Sequence, residues 1–291
     1  MSVRLFTCAL LASLALQIAH AQSASNENAT LSLNGDAAVR IVPGAESDLP
    51  LSVRVVDAHG SPLAGLVVEF FVNACVPPPE GADPCPLSGT YGRFADAGSA
   101  RHALTNADGT ATAPAFVAGM LPGAYDVAAC LFPTLHPEDA IVETPLCVYL
   151  HVVQVAPLAS SVPITPAFTG AWYDPAQGGH GIFVEVLPDD AFLAYWFAFD
   201  PDGAGQSWFG GVGSIVDDVA VVTADIGAGG RWIPNFDPAT YSLNPWGVLI
   251  FQFSDCNHGR VDFSSVASMG AYGSGHMDIT RLTQPAGLAC P

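Results

Sequence analysis

Valine, phenylalanine and tyrosine alternate with polar residues along most of the chain, and glycine and proline interrupt them at roughly 8–12-residue intervals. No stretch of about ten or more residues carries an amphipathic helical period, so the pattern predicts an all-β protein. In the first half, Leu51, Val53 and Val55 alternate with Ser52 and Arg54, which predicts a strand with one wet face. The segment from Asp57 to Gly65 reads as a turn in which Gly60 and Gly65 supply positive φ. Leu66, Val68, Phe70 and Val72 then share a face opposite Glu69. Asp108-Gly109, inside Thr105–Thr110, is a hairpin signal, and Gly123–Cys130 and Leu146–Val153 read as two closing strands.

The second half predicts eight strands: Phe168–Tyr173, His180–Leu187, Ala191–Phe199, Gln206–Ser214, Asp218–Asp225, Trp246–Ser254, Gly259–Val266 and Ser274–Leu282. Short connections such as Asp200–Gly205 and Asn257–Gly259 make sequence neighbours spatial neighbours. Eight antiparallel strands joined this way close into a barrel, which removes exposed sheet edges. The insertion Gly227–Asn244, with Trp232, Phe236 and Tyr241, is expected as a loop over one rim. Between the halves, Ala156–Pro166 holds three prolines in eleven residues and no alternation, a semi-rigid linker. The expected organisation is therefore a β-sandwich over 22–155, a linker over 156–166 and an antiparallel, eight-stranded barrel-like domain over 167–291.

The first 21 residues stand apart. Arg4 supplies a positive start, Leu5–Ala19 an apolar core, and Ala19-His20-Ala21 a small-residue cleavage site, as in a secretory signal peptide. Its apolar run is about 15 residues, too short to span a bilayer comfortably. Cys8 lies inside it, and no later stretch has the length of an anchor. The expectation is an exported, soluble chain with no membrane span, destined for the periplasm, the cell surface or the exterior. Six cysteines remain after Cys8, an even number that in an exported chain reads as disulfides. Fifteen pairings are formally possible. Cys75–Cys85 bracket one loop, Cys130–Cys147 sit on consecutive strands, and Cys256–Cys290 are the pair beyond the linker, so these three are expected. No C-x-x-C or Cys/His spacing points to a metal site.

Acidic residues number 27 against eight arginines, with no lysine, for a net charge of −19. The excess is spread over both halves, with fourteen acids and four arginines in 22–165 and thirteen acids and three arginines in 166–291. Such a surface repels nucleic acid and anionic membranes, which excludes both as partners, and it favours solubility.

Several spaced pieces resemble the bacterial Ig-like group 1 domain of intimin- and invasin-type adhesins. They are V-x-V-V-D-x-x-G-x-P-L-A-G-x-x-V-x-F at 53–70, T-N-A-D-G-T-A at 105–111 and G-A-Y-D-V at 123–127. The resemblance covers about residues 30–155 and departs at the Cys75–Cys85 loop and the Phe132–Thr144 excursion. It implies an Ig-like β-sandwich acting as a spacer or adhesion module, and no catalytic residues. In the second half, Gly170-Ala-Trp172 on the first strand and Arg281 on the last resemble the pair that closes lipocalin- and avidin-like barrels, a cation over an indole face. G-A-W-Y-D-P-x-x-x-G-x-G, Y-W-F-x-F-D-P and D-C-N-H-G-R-V-D also resemble an uncharacterised module of exported bacterial proteins, which implies no function.

All five tryptophans, Trp172, Trp196, Trp208, Trp232 and Trp246, lie in the second half. An indole offers a flat apolar face and one donor, suited to a sugar or small ligand. Trp172 is assigned to barrel closure and Trp196 to the core, leaving Trp208, Trp232 and Trp246 as candidate binding residues. Glu185 joins them, because a lone carboxylate beside Phe183 and Leu187 is either a proton-transfer or ligand group or the structural partner of Arg281 or Arg260. His180, His258 and His276 lack the short spacing of chelating histidines. The aspartates 189, 190, 200, 202, 217 and 218 lack the other ligands of a calcium loop. Nucleophile-elbow, zincin and nucleotide-loop motifs are absent. No metal or cofactor is therefore expected. The leading expectation is a non-enzymatic exported protein whose barrel recognises a small ligand, a glycan or a partner protein. The alternatives are a secreted hydrolase using Glu185 with an aspartate, and a purely structural envelope protein.

Overall fold

The computed structural model describes residues 29–46, 51–73, 91–95, 100–132, 145–288 and 290. The leader, Cys75, Cys85 and residues 133–144 of the long excursion lie outside the described residues. Strand accounts for 54% of the described residues and helix for 4%. Strands β1 (Thr30–Leu33), β3 (Ser52–Val56) and β7 (Thr110–Thr112) form one sheet in the order β1-β3-β7. A second sheet runs β2-β10-β9-β4-β6, built from β2 (Ala38–Ile41), β4 (Val67–Asn73), β6 (Ala100–Leu104), β9 (Gly123–Leu131) and β10 (Leu146–Gln154). The short β5 (Arg93–Phe94) and β8 (Phe116–Val117) pair with each other. All pairings are antiparallel except β2 with β10.

The alternation explains the core. Val53 and Val55 from the first sheet meet Val68, Phe70, Val127 and Val152 from the second in one buried cluster. The turns have the predicted chemistry, with Gly60, Gly65 and Gly109 all at positive φ. Cys130 and Cys147 face each other across β9 and β10 and form a disulfide.

From residue 170 the chain forms a closed barrel of eight antiparallel strands. They are β11 (Gly170–Tyr173), β12 (Gly181–Val186), β13 (Ala191–Phe199), β14 (Gln206–Val216), β15 (Val219–Gly229), β16 (Tyr241–Phe253), β17 (His258–Ser265) and β18 (Ser274–Arg281). The insertion is smaller than the sequence predicts, because β15 and β16 extend into it and pair as far as Gly229 with Tyr241. Only residues 230–240 remain as a connection, so Tyr241 belongs to a strand.

One end of the barrel is sealed. Phe168, in a short 3-10 turn (Pro166–Phe168), is buried against Phe253 and Trp172, with ring centroids 4.6 and 6.4 Å away. The Trp172 indole N–H donates to the Phe168 carbonyl at 3.0 Å. Trp172 and Arg281 are register partners of β11 and β18, and the guanidinium lies 5.1 Å over the indole ring. Arg281 also donates to the Ala167 carbonyl, so the cation joins the plug to the last strand. The Cys256–Cys290 disulfide ties the tail to the β16–β17 turn.

Strands β15 and β16 are buried on both faces over residues 219–222 and 248–253. Ala220, Val222, Leu249 and Phe251 face the barrel core, while Val219, Val221, Val248 and Ile250 pack against Val153 and Val155 at the end of β10. A strand covered on both sides needs no polar face, which accounts for the uninterrupted apolar runs at 219–222 and 248–251. A polar seam borders this contact. Arg40 donates to Asp218 (2.6 Å) and to Gln252 (2.7 Å), and Gln252 donates to the Ala156 carbonyl (2.9 Å). The proline-rich segment lies along the barrel rather than free. Arg260 donates to its Ala156 carbonyl, and its Val162 N–H donates to the Phe253 carbonyl.

Candidate functional site

The opposite end of the barrel is open. The connections 174–180, 200–205, 230–240 and 266–273 surround it, and beneath them lies a cavity of about 190 Å³. Its walls are chiefly aromatic: Trp196, Phe209, Trp246, Phe263 and Tyr272, with His180 at the rim. No Asp, Glu or Arg side chain lines it.

Each wall residue has a local reason for its position. On β13, Phe192, Ala194, Trp196 and Ala198 alternate inward, and the alanines flanking Trp196 leave space around its indole. Trp246 reaches the interior through a β-bulge. Ala224 pairs with Gly247 and Asp225 with Pro245, so Trp246 is the extra residue on β16. A bulge re-aims a side chain by breaking the strict two-residue period. Below it Leu249, Phe251 and Phe253 share the core with Trp246, whereas Val248 and Ile250 face outward. Gly247 enables the bulge, with φ of 152° and a backbone so close to Ser264 that no Cβ fits.

Tyr272 closes one side from the β17–β18 connection. Its hydroxyl shares a hydrogen bond with Ser207 at 2.9 Å and donates to Asp200 at 3.4 Å, tying together two rim loops. Its ring stands edge-on to Phe209 and Trp246, at 5.7 and 5.6 Å. His180 ends a loop organised by Asp174, whose carboxylate accepts from the Ala176 N–H and from Gln177, both at 2.8 Å. These two donors, the backbone one foremost, hold the Asp174 carboxyl below the ordinary carboxylate range. The His180 ring stands edge-on to Phe199 at 5.3 Å and Trp196 at 6.3 Å.

Three buried polar atoms on residues that wall this cavity have no hydrogen-bond partner, although the atoms themselves have almost no accessible surface: Trp196 Nε1, Trp246 Nε1 and His180 Nδ1. Such groups are rare in folded proteins and costly, at about 1–3 kcal/mol each. Trp172, at the sealed end, does have its acceptor. At the sealed end Thr165 Oγ1 and Arg281 Nε are unpartnered too, so buried unpaired polar atoms occur at both ends of the barrel.

The structure redistributes the residues singled out in the sequence. Trp246 lies in the cavity wall. Trp208 does not, because it is on the outer face of β14, half exposed, with its ring 5.7 Å from Tyr195. Trp232 is 86% exposed in the 230–240 connection, outside the cavity. Glu185 is also exposed on the outer face, because Ile182 and Val184 take the inward positions of β12 and leave Phe183 and Glu185 outward. It pairs with neither Arg281 nor Arg260, which bind the Ala167 carbonyl and Asp262 respectively. Trp196, read as core, is buried but also walls the cavity. Phe209, Tyr272 and His180 complete the wall.

The histidines do not converge. His258 pairs with Asp255 (3.0 Å) in the β16–β17 turn near the sealed end, and His276 borders the cavity from β18, opposite Asp262. Among the described residues no group of three His, Cys, Asp or Glu side chains is placed to hold a metal ion. The aspartates read against calcium have structural roles. Asp189, Asp190 and Asp217 occupy positive-φ turn positions, Asp202 accepts from the Ala204 N–H, and Asp218 binds Arg40.

A wider cleft, of about 400 Å³, lies between β9–β10 and β14–β15. Its polar side chains include Asp126 and His151, already paired with each other at 2.9 Å. The barrel mouth, smaller but walled by aromatic rings, is the stronger candidate. No protein-family model matches this chain, and no curated protein matches it.

Proposed function

We propose that this chain is an exported, non-enzymatic binding protein whose barrel holds a small ligand in the aromatic cavity at its open end. The observation that carries the reading is the aromatic-walled cavity of about 190 Å³ at the open end. The contrast between the barrel ends supports it: one is filled by Phe168, Trp172 and Phe253, and the other is left hollow. Concave sites lined chiefly by aromatic and apolar side chains are the usual make-up of small-molecule sites. The hydrolase alternative draws no support from Glu185, whose side chain is exposed on the barrel exterior.

The first half acts in this reading as an Ig-like spacer or adhesion module. Its support is that the pieces carrying the resemblance fall on β3, β4, the β6–β7 turn and β9, around one shared core. Export is compatible with the two disulfides, and no described helix is long and apolar enough to cross a membrane.

The test is a calorimetric screen of the full chain against small neutral, cationic, anionic and sugar-like fragments, repeated with Ala198→Phe, which fills the cavity. Binding lost in that variant supports the reading. No binding by any fragment, or binding unaffected by the filled cavity, overturns it.

A further inference from the structure

Strand β13 breaks the alternation expected of a barrel wall that faces water. Its outward positions, Ala191, Leu193, Tyr195, Phe197 and Phe199, are as apolar as its inward ones. On β15 and β16 the same composition is accounted for by Val153 and Val155, which cover the outer face. On β13 Phe197 stays 52% exposed, so among the described residues that face has no cover. The neighbouring strands extend it. Register places Phe183 of β12 beside Tyr195, and Trp208 and Val212 of β14 beside Phe197 and Leu193. Tyr195 lies over Gly210, where a Cβ would come within 2.8 Å of its ring, and this keeps the face level.

Area and charge together name the occupant. Phe183, Phe197, Trp208 and Val212 are 41–57% exposed. At roughly 150–250 Å² for a whole aromatic side chain, they offer about 400 Å² between them. One partner in a standard interface between folded proteins contributes about 800 Å², so the patch suits a single extended segment. From 170 to 230 the chain has no arginine, and it has no lysine anywhere. Exposed Glu185, Asp189, Asp190 and Asp217 border one end of the patch, and Asp202 borders the other. A second copy would bring the same acids to the same rims, and that repulsion opposes self-association. A glycan needs hydrogen-bonding groups among the rings, and the outward positions of β13 supply only the Tyr195 hydroxyl. A segment with an apolar centre and a cation at each end meets rings in the middle and carboxylates at the rims. The nine residues of β13 span about 30 Å, so an extended peptide of similar length reaches both rims.

We propose that the outer face of β12–β14 docks a polypeptide segment of this kind. Its apolar side chains lie on Phe183, Phe197 and Trp208, and lysine or arginine at each end meets the acidic rims. The surface is on the barrel exterior, so it does not depend on the cavity binding a ligand.

The experiment is fluorescence anisotropy of the full chain with the labelled peptide Lys-Lys-Leu-Phe-Leu-Phe-Leu-Lys-Lys and with a counterpart carrying glutamate in place of lysine. The lysine peptide binds and the glutamate peptide does not. Phe197→Ser combined with Trp208→Ser weakens binding about tenfold and leaves the thermal melt unchanged, because both side chains are half exposed. Asp189→Asn combined with Asp190→Asn keeps residues that tolerate the positive φ of this turn and weakens binding about fivefold. Asp36→Asn combined with Asp108→Asn removes the same charge from the first half and changes binding less than about twofold. Equal losses from the two aspartate pairs, or none from the aromatic pair, mean general attraction to an acidic chain and overturn the proposal. So does failure of the lysine peptide to bind. So does a dimer of the chain alone, or its binding to cellohexaose or to phosphatidylcholine vesicles, if the aromatic pair abolishes it.

Discussion

Trp246 lies flat against Phe209, with ring centroids 3.9 Å apart and planes 7° from parallel, although the two residues come from strands separated by β15. The contact crosses the barrel interior and depends on the bulge that turns Trp246 inward. It is both a wall of the cavity and part of the core, so a change there alters stability and cavity shape together.

Trp246→Ala is expected to cost about 3–5 kcal/mol, the usual range for removing a large buried aromatic. Trp246→Phe retains a stacked ring and costs less. Urea denaturation of both variants and of Phe209→Leu, combined as a double-mutant cycle, measures the coupling. An interaction energy near zero would show that the stack adds nothing beyond burial.

Arg281→Ala is expected to cost about 2–3 kcal/mol, because it removes the cation over Trp172 and the donor to the buried Ala167 carbonyl. Glu185→Ala, on the exposed outer face, should stay within about 0.5 kcal/mol of the parent. Comparing the two melts is enough. Equal effects would contradict the different positions found for these residues.

Removing the Cys256–Cys290 bond, by replacing both residues with alanine, is expected to lower stability by about 3–4 kcal/mol from loop-closure entropy. The bond closes a 34-residue separation. The Cys130–Cys147 bond joins residues already opposed in a ladder and closes only 17, so its loss should cost less. Denaturation midpoints of the two double variants give the ranking.

Acid should weaken the seam between the sheets and the barrel. Burial raises the Asp218 carboxyl, but the Ser161 hydroxyl and the Arg40 guanidinium outweigh it and hold the carboxyl below its ordinary value of 3.8. A depressed folded value means that this stabilisation is present above 3.8 and disappears as pH falls through the lower folded value. The stability gap between the parent and Asp218→Asn should therefore be constant near neutrality and close in strong acid. Asp262 has the opposite sign: burial raises it despite Arg260, so its contribution declines as pH rises from 3.8 through its folded value. A gap that widens on acidification would show that Asp218 is not held in this way.

Strand content was readable wherever one face is wet and the other dry. Ala191–Phe199 is recovered residue for residue, and β3 and β4 follow from the alternation of Val53, Val55, Val68 and Phe70. Which face of β12 turns inward was not, because Phe183 and Leu187 on one side compete with Ile182, Val184 and Val186 on the other. That choice is made by the partner strands, and it moves Glu185 outside. Trp246 has no local periodic signal at all: its inward direction comes from an unpaired residue opposite Ala224 and Asp225, more than twenty positions earlier. His180 and Tyr272 sit on rim connections rather than strands, where alternation carries no information. A glycine beside a tryptophan, as in Pro245-Trp-Gly247, was the one available hint of the bulge.

The polypeptide enters the barrel at its plugged end, and the sheets of the first half lean on β15 and β16 through Val219, Val221 and Ile250, toward that same end. The hollow end consequently lies opposite the contacts that the described residues of the first half make with the barrel. If the leading half were fastened to a surface, the aromatic port would face outward into the medium. Entry to it would then require no swing of one half against the other, and exchange would be governed by the rim loops alone.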